Sequence, residues 1–121
     1  MRIALLCAFV ACSHPQPHSP YGELERRTHE IVAAMDRLVA SLHAASDCPQ
    51  MAFALRQFSR YATQLAELDL LRRGLSSAER ERFEFDHDDD RDVLERVRVA
   101  AWRCMMDRET HIAYEAAGFM H

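Results

Sequence analysis

The four cysteines, at positions 7, 12, 48 and 104, are the side chains of this chain with the widest chemistry, since a thiol can take a lipid, close a disulfide or bind a metal. Dithiol exchange would need two sulfurs adjacent in a Cys-x-x-Cys turn, and no such spacing occurs. Farther along, Met105, Met106 and His111, with Met120 and His121 beyond them, form a soft-ligand group of the kind that suits copper. Haem held between a Met and a His, for example Met35 and His111, is the related chemistry. There is no Cys-x-x-Cys-His run for covalent haem attachment. His29, His43 and His87 lack the Glu-x-x-His spacing of di-iron bundles, and His14 and His18 lie on a proline-rich strip. Against these readings, methionines at helical spacing fill cores and terminal histidines are solvated. The expectation is therefore no cofactor, with Met105, Met106 and His111 as the metal-ligand candidates.

The run DHDDDRD sets Asp86, Asp88, Asp90 and Asp92 at alternate positions, as in the first half of a calcium loop. That loop requires Gly at its sixth position and a bidentate Glu at its twelfth, where this chain has Arg91 and Val97, so the match fails. An acidic, solvated helix junction is the reading. No Ser or Cys stands in a nucleophile-elbow context, and no glycine-rich loop is present to cradle phosphate. No enzyme signature is found. All fifteen basic residues are Arg, most of them interleaved with acids, and the net charge is −4, so nucleic acid is not an expected partner.

The first residues raise the question of processing. Met1 and Arg2 precede nine apolar residues, IALLCAFVA, and then Cys12. A membrane-crossing helix needs about 20 apolar residues, so this is a secretory-signal pattern rather than a span. Ala11 before Cys12 resembles the lipobox of a bacterial lipoprotein signal, although Phe9 stands where that family usually carries Leu. The resemblance implies cleavage before Cys12, fatty acylation of that residue, and anchorage in the periplasm, with Ser13 not opposing sorting to the outer membrane. A conventional secretory signal and an ordinary buried helix start are the alternatives. The segment SHPQPHSP, with three prolines in eight residues, favours extended backbone and would serve as a tether. The expected organisation is a signal over residues 1 to 11, a tether over 12 to 19 and a helical bundle over 20 to 121.

From Tyr21 onward the apolar spacing is helical. Leu24, Thr28, Ile31, Met35, Leu38 and Leu42 predict helix one over about residues 20 to 45. Asp47 and Gln50 at capping-box spacing, with Pro49 in the first turn, start helix two. Its stripe is Met51, Leu55, Phe58, Ala62, Leu65 and Leu68, and Gly74 is expected to end it near Arg73 in the left-handed conformation. Ser76 and Glu79 form a second capping box and start helix three, whose stripe includes Phe83, Leu94, Val97, Ala101 and Cys104. Six acids among residues 84 to 92 predict a bend or break near 86 to 90. A short helix from about Arg108, stopped by Gly118, completes an all-α antiparallel bundle of three long helices plus a short one. Trp102 is expected in the core or at its boundary, with an aromatic contact surface beside Tyr61 and Tyr114 as the alternative.

If helix two runs about 25 residues at ~1.5 Å each and helix three returns antiparallel from Ser76, roughly residue 101 comes back beside Cys48. Cys104 then lies one turn away, and in an oxidising compartment the pair predicts a disulfide; two independent buried thiols are the alternative. Cys48, Met51, Ala52, Leu55 and Phe58, then Leu75, Ser76 and Glu79, then Cys104, are similar to a pattern in small helical lipoproteins of myxobacteria and their relatives. That resemblance agrees with the disulfide and implies no activity. The functional expectation is a lipid-anchored structural or protein-binding role in the periplasm. A haem- or copper-binding bundle and a small chaperone-like binder are the alternatives. Mass spectrometry of the protein from its own host should give a mature chain starting at Cys12 and carrying a diacylglyceryl-type addition; the unmodified full-length mass would refute lipidation.

Overall fold

The computed structural model describes residues 20 to 119. The expected signal, Cys7, Cys12, the tether with His14 and His18, Met120 and His121 lie outside that range. The described residues are all helical, in six α-helices joined by short turns. None of the helices is long and apolar enough to cross a membrane.

Helix α1 (Pro20–Ala44) is the spine of the body, and α2, α3, α4 and α5 all pack on it. Its first turn tolerates Pro20 because that position's N–H would have no intrahelical partner. The three-four repeat turns Leu24, Ile31, Met35, Leu38 and Leu42 inward, joined by Ala34 and Val39. Helix α2 (Cys48–Phe58) is capped by Asp47, whose Oδ1 accepts from the Gln50 amide at 2.9 Å. Gln50 does not complete a capping box: its Oε1 turns back to Ser46, accepting from both the amide (2.9 Å) and the hydroxyl (3.0 Å). Two donors on one residue outcompete the single Asp47 amide.

The continuous helix expected from 47 to 73 is instead broken by a 3-10 turn, Ser59–Tyr61, before α3 (Ala62–Arg73). The Ser59 hydroxyl donates to the Arg56 carbonyl, which gives the backbone an alternative partner at the break. Past it, α3 buries none of its residues fully; Leu65 and Leu68 only lean on the core. Gly74 does end α3, but at φ −79, so the left-handed stop expected there is not used. Short bonds from its amide to the Leu70 and Leu71 carbonyls close the helix instead. The left-handed position falls at Gly118, φ 93, where an added Cβ would also lie 3.4 Å from a Leu65 methyl.

Helix α4 (Ser77–Asp86) starts from a complete capping box: Ser76 Oγ accepts from the Glu79 amide, and Glu79 Oε1 from the Ser76 amide. The acidic run breaks the chain as expected, into a 3-10 turn at Asp88–Asp90, before α5 (Arg91–Ala101) and a further 3-10 turn, Trp102–Cys104. A stretch at three residues per turn rotates the helix after it, so α5 buries Val93, Val97, Ala100 and Ala101. Leu94, expected inside, is half exposed. Helix α6 (Arg108–Ala116) closes the described chain and lies along α2.

The main core joins the second half of α1 to α2, α5 and α6, and a smaller cluster packs Leu24, Leu75 and Phe83 with Tyr21. Leu55 is wholly buried at the centre of the main core. Leu55→Ala should therefore lower the unfolding free energy by about 2–5 kcal/mol, read as a urea midpoint shift at constant slope. A loss under about 1 kcal/mol would contradict this packing.

Candidate functional site

Four helix ends meet at one pole of the body, and the cysteines sit between them. Cys48 opens α2 and Cys104 ends the turn after α5; they are at disulfide distance, with Cα atoms 5.6 Å apart. Cys104 is buried and Cys48 half-buried, both against the main core. The neighbouring Arg103 reaches across the pole, its Nη2 donating to the Leu42 carbonyl at 3.3 Å and to the Ala45 carbonyl. A guanidinium there satisfies carbonyls that the end of α1 leaves open and complements the negative end of its dipole. Asp107 does the converse for α6, its Oδ2 accepting from the Thr110 amide at 3.0 Å. The wholly buried Thr110 hydroxyl donates to the same oxygen at 2.9 Å and lies 3.4 Å from the Cys48 carbonyl oxygen. The cysteine pair, the cation and the capped hydroxyl thus bring together α1, α2, α5 and α6.

The soft-ligand candidates flank this pole without forming one set. Met105 packs partly against the core, whereas Met106 is 99% exposed, so adjacent thioethers have different surroundings. The His111 imidazole lies 4.0 Å from the Glu115 carboxylate on the same helix. Met35, the haem candidate paired with His111, is buried in the main core. Among the described residues, no three His, Cys, Asp or Glu side chains are grouped to hold a metal ion. Cys12, the lipid-attachment candidate, lies outside the described residues.

Trp102 is 65% exposed, not in the core or at its boundary as expected. It does not join Tyr61 and Tyr114 in an aromatic surface either, since Tyr61 rests on Phe58 and Tyr114 on Phe119. The cause is the 3-10 turn, which carries Cys104 inward and leaves Trp102 outward. The Arg98 guanidinium stands 5.8 Å from its ring centroid and is held there by Glu95, whose carboxyl the same arginine keeps below its usual range. Val99, three residues before Trp102, is 60% exposed, so this end of α5 and the turns after it offer Val99, Trp102 and Met106 to solvent.

Sequence reasoning missed Arg103 and Thr110, the polar partners of the cysteine pole. Arg103's adjacency to Cys104 was the available signal. It also missed a junction between α1 and the acidic break. There His87, almost fully buried, stacks on Phe83 with centroids 4.1 Å apart, and its Nδ1 lies 3.0 Å from the Phe83 carbonyl oxygen. Its Nε2 is 3.7 Å from Glu25, and the His29 ring is 5.9 Å away. Only the fold brings positions 25, 29 and 87 together.

The chain matches no known family model, and comparison with curated proteins and with solved structures finds no match for it. The functional reading therefore rests on the residues themselves. Closing a loop of this length constrains the unfolded chain by about 4 kcal/mol in the chain-entropy picture. Cys48→Ser should lower the melting temperature under oxidising conditions by roughly 10 °C or more for a body of this size. Equal melting curves for the two proteins, and for the wild type with and without reductant, would argue against the bond.

Proposed function

We propose that the chain is exported, cut before Cys12 and anchored by a lipid on that residue in the periplasm, at the outer membrane, where its helical body binds another protein rather than catalysing a reaction. The observation that carries this reading is the Cys48–Cys104 pair, because a bond between two distant cysteines persists where the compartment is oxidising. The Ala11-Cys12 resemblance to a lipobox and the proline-rich strip behind it supply the anchor and the tether. The scaffold is read as an antiparallel bundle of three long helices, two of them jointed at 3-10 turns, with a short fourth laid along the second.

What supports binding is the outward set at the end of α5. Large apolar side chains that stay in water are costly, and aromatic and Met residues are the types enriched at protein interfaces. Trp102 and Met106 are of these types, and they sit where the cysteine pair and Arg103 hold the backbone fast. A rigid mount lowers the ordering entropy that a partner would otherwise have to overcome. A photo-crosslinking residue at position 102, in the native host, should give one discrete adduct in the envelope fraction, while the same residue at position 72 gives none. Equal adducts from both positions would count against a defined surface. A Soret or copper band in the purified native protein would instead favour a cofactor-carrying bundle.

A further inference from the structure

Between α1 and α2, away from the cysteine pole, lies an open cleft of about 130 Å³ lined by two arginines and by hydroxyl and amide groups that can donate. Arg37 comes from α1 and Arg60 from the turn Ser59–Tyr61, and both line the cleft together with Tyr61. Arg60 Nη2 donates to Tyr61 Oη at 3.3 Å. The hydrogen bond from Arg60, and then its charge, hold the phenol below its usual range against partial desolvation, with Arg37 adding a smaller pull in the same direction. Ser41 and Gln57 complete the polar rim, and the buried Leu38 and Phe58 form part of the apolar wall.

Among the described residues, neither of these guanidiniums has a carboxylate within ion-pair distance. Seven arginines among the described residues have a carboxylate within ion-pair distance. Seven others have none, and Arg37 and Arg60 are the two of these that line the cleft, in a chain whose net charge is −4. Asp36, next to Arg37 in sequence, is turned to Arg96 at 3.0 Å. Arg56 and Arg60, four residues apart across the end of α2, add like-charge repulsion that helices normally avoid. The fold thus leaves positive charge uncompensated at a concave place.

We propose that this cleft binds a phosphoryl group, with Arg37 and Arg60 as its charged arms and the Tyr61 hydroxyl between them. The planar fork of Arg matches the oxygens of phosphate, and forks arriving from two separate elements suit a tetrahedral group better than a flat carboxylate, which one fork satisfies. The volume is well under the ~300 Å³ where sites for drug-sized molecules begin, so the cleft takes the phosphoryl group and little of what carries it. A soluble phosphate monoester and a phospholipid headgroup present the same chemistry. Phosphoryl binding at this cleft does not depend on export or anchorage.

The test uses the full chain with Cys12→Ser, so that no lipid is attached, titrated calorimetrically at low salt with inorganic phosphate, phenyl phosphate and acetate. The phosphates should bind saturably, one per chain, and acetate about tenfold more weakly or not at all. Arg37→Gln and Arg60→Gln should each weaken phosphate by about tenfold or more, whereas Arg72→Gln, an exposed arginine elsewhere, should leave it unchanged. Circular dichroism melts guard against misfolding, and both substituted side chains reach solvent. Binding to phosphatidylglycerol vesicles that inorganic phosphate reverses, and that Arg37→Gln abolishes, assigns the headgroup as source; phosphate binding with no such vesicle binding assigns a soluble ester. Absence of saturable phosphate binding, equal affinity for acetate, or equal weakening by Arg72→Gln would overturn the proposal.

Discussion

A short body built from broken helices has many helix ends and little core to hold them, and the meeting of Cys48 with Cys104 is the constraint that compensates. The two residues are 56 apart in sequence, so linking them removes a large share of the freedom of the unfolded chain, about 4 kcal/mol in entropic terms. Domains of this size have net stabilities of about 5–15 kcal/mol, so such a constraint is a large share of the total. The pair also fixes position. It registers the start of α2 against the end of α5, and Arg103 and Thr110 then have carbonyl and carboxylate partners within reach.

The remainder of the fold hangs on α1. Its apolar stripe is long enough to serve two cores, the larger with α2, α5 and α6 and the smaller with Leu75 and Phe83. Ion pairs follow the same spine: Arg27 bridges Glu23 within α1 to Glu67 on α3, and Asp36 pairs with Arg96 on α5. These pairs are largely exposed and orient the helices more than they stabilise them. Two of the arginines without such partners, Arg37 and Arg60, line the cleft between α1 and α2.

Much of this was legible in the sequence because the signals were local. The stripe Leu24 to Leu42, the Ser76–Glu79 capping box and the acidic break each depend on neighbours within a turn or two, and each is found where the spacing puts it. The cysteine pairing was legible because helix lengths are additive, and the 3-10 turns altered those lengths too little to part the sulfurs. The same turns defeated the finer expectations. A tight turn at Asp88–Asp90 re-phases α5, exchanging Leu94 for Val93, and one at Trp102–Cys104 puts the indole outside. Gly74 misled because a helix can also close through right-handed short bonds. The Arg37–Arg60–Tyr61 cleft joins two helix faces across the fold, and no local pattern marks it.

Function, on this reading, turns on the redox state of the protein where it works. The most direct measurement is mass spectrometry of the protein drawn from its own host, acid-quenched and alkylated before any exposure to oxidant. An exported, bridged protein gives Cys48 and Cys104 as a single cross-linked peptide pair that takes up no alkylating agent. Both residues fully alkylated, in a soluble chain that still begins at Met1, would contradict it.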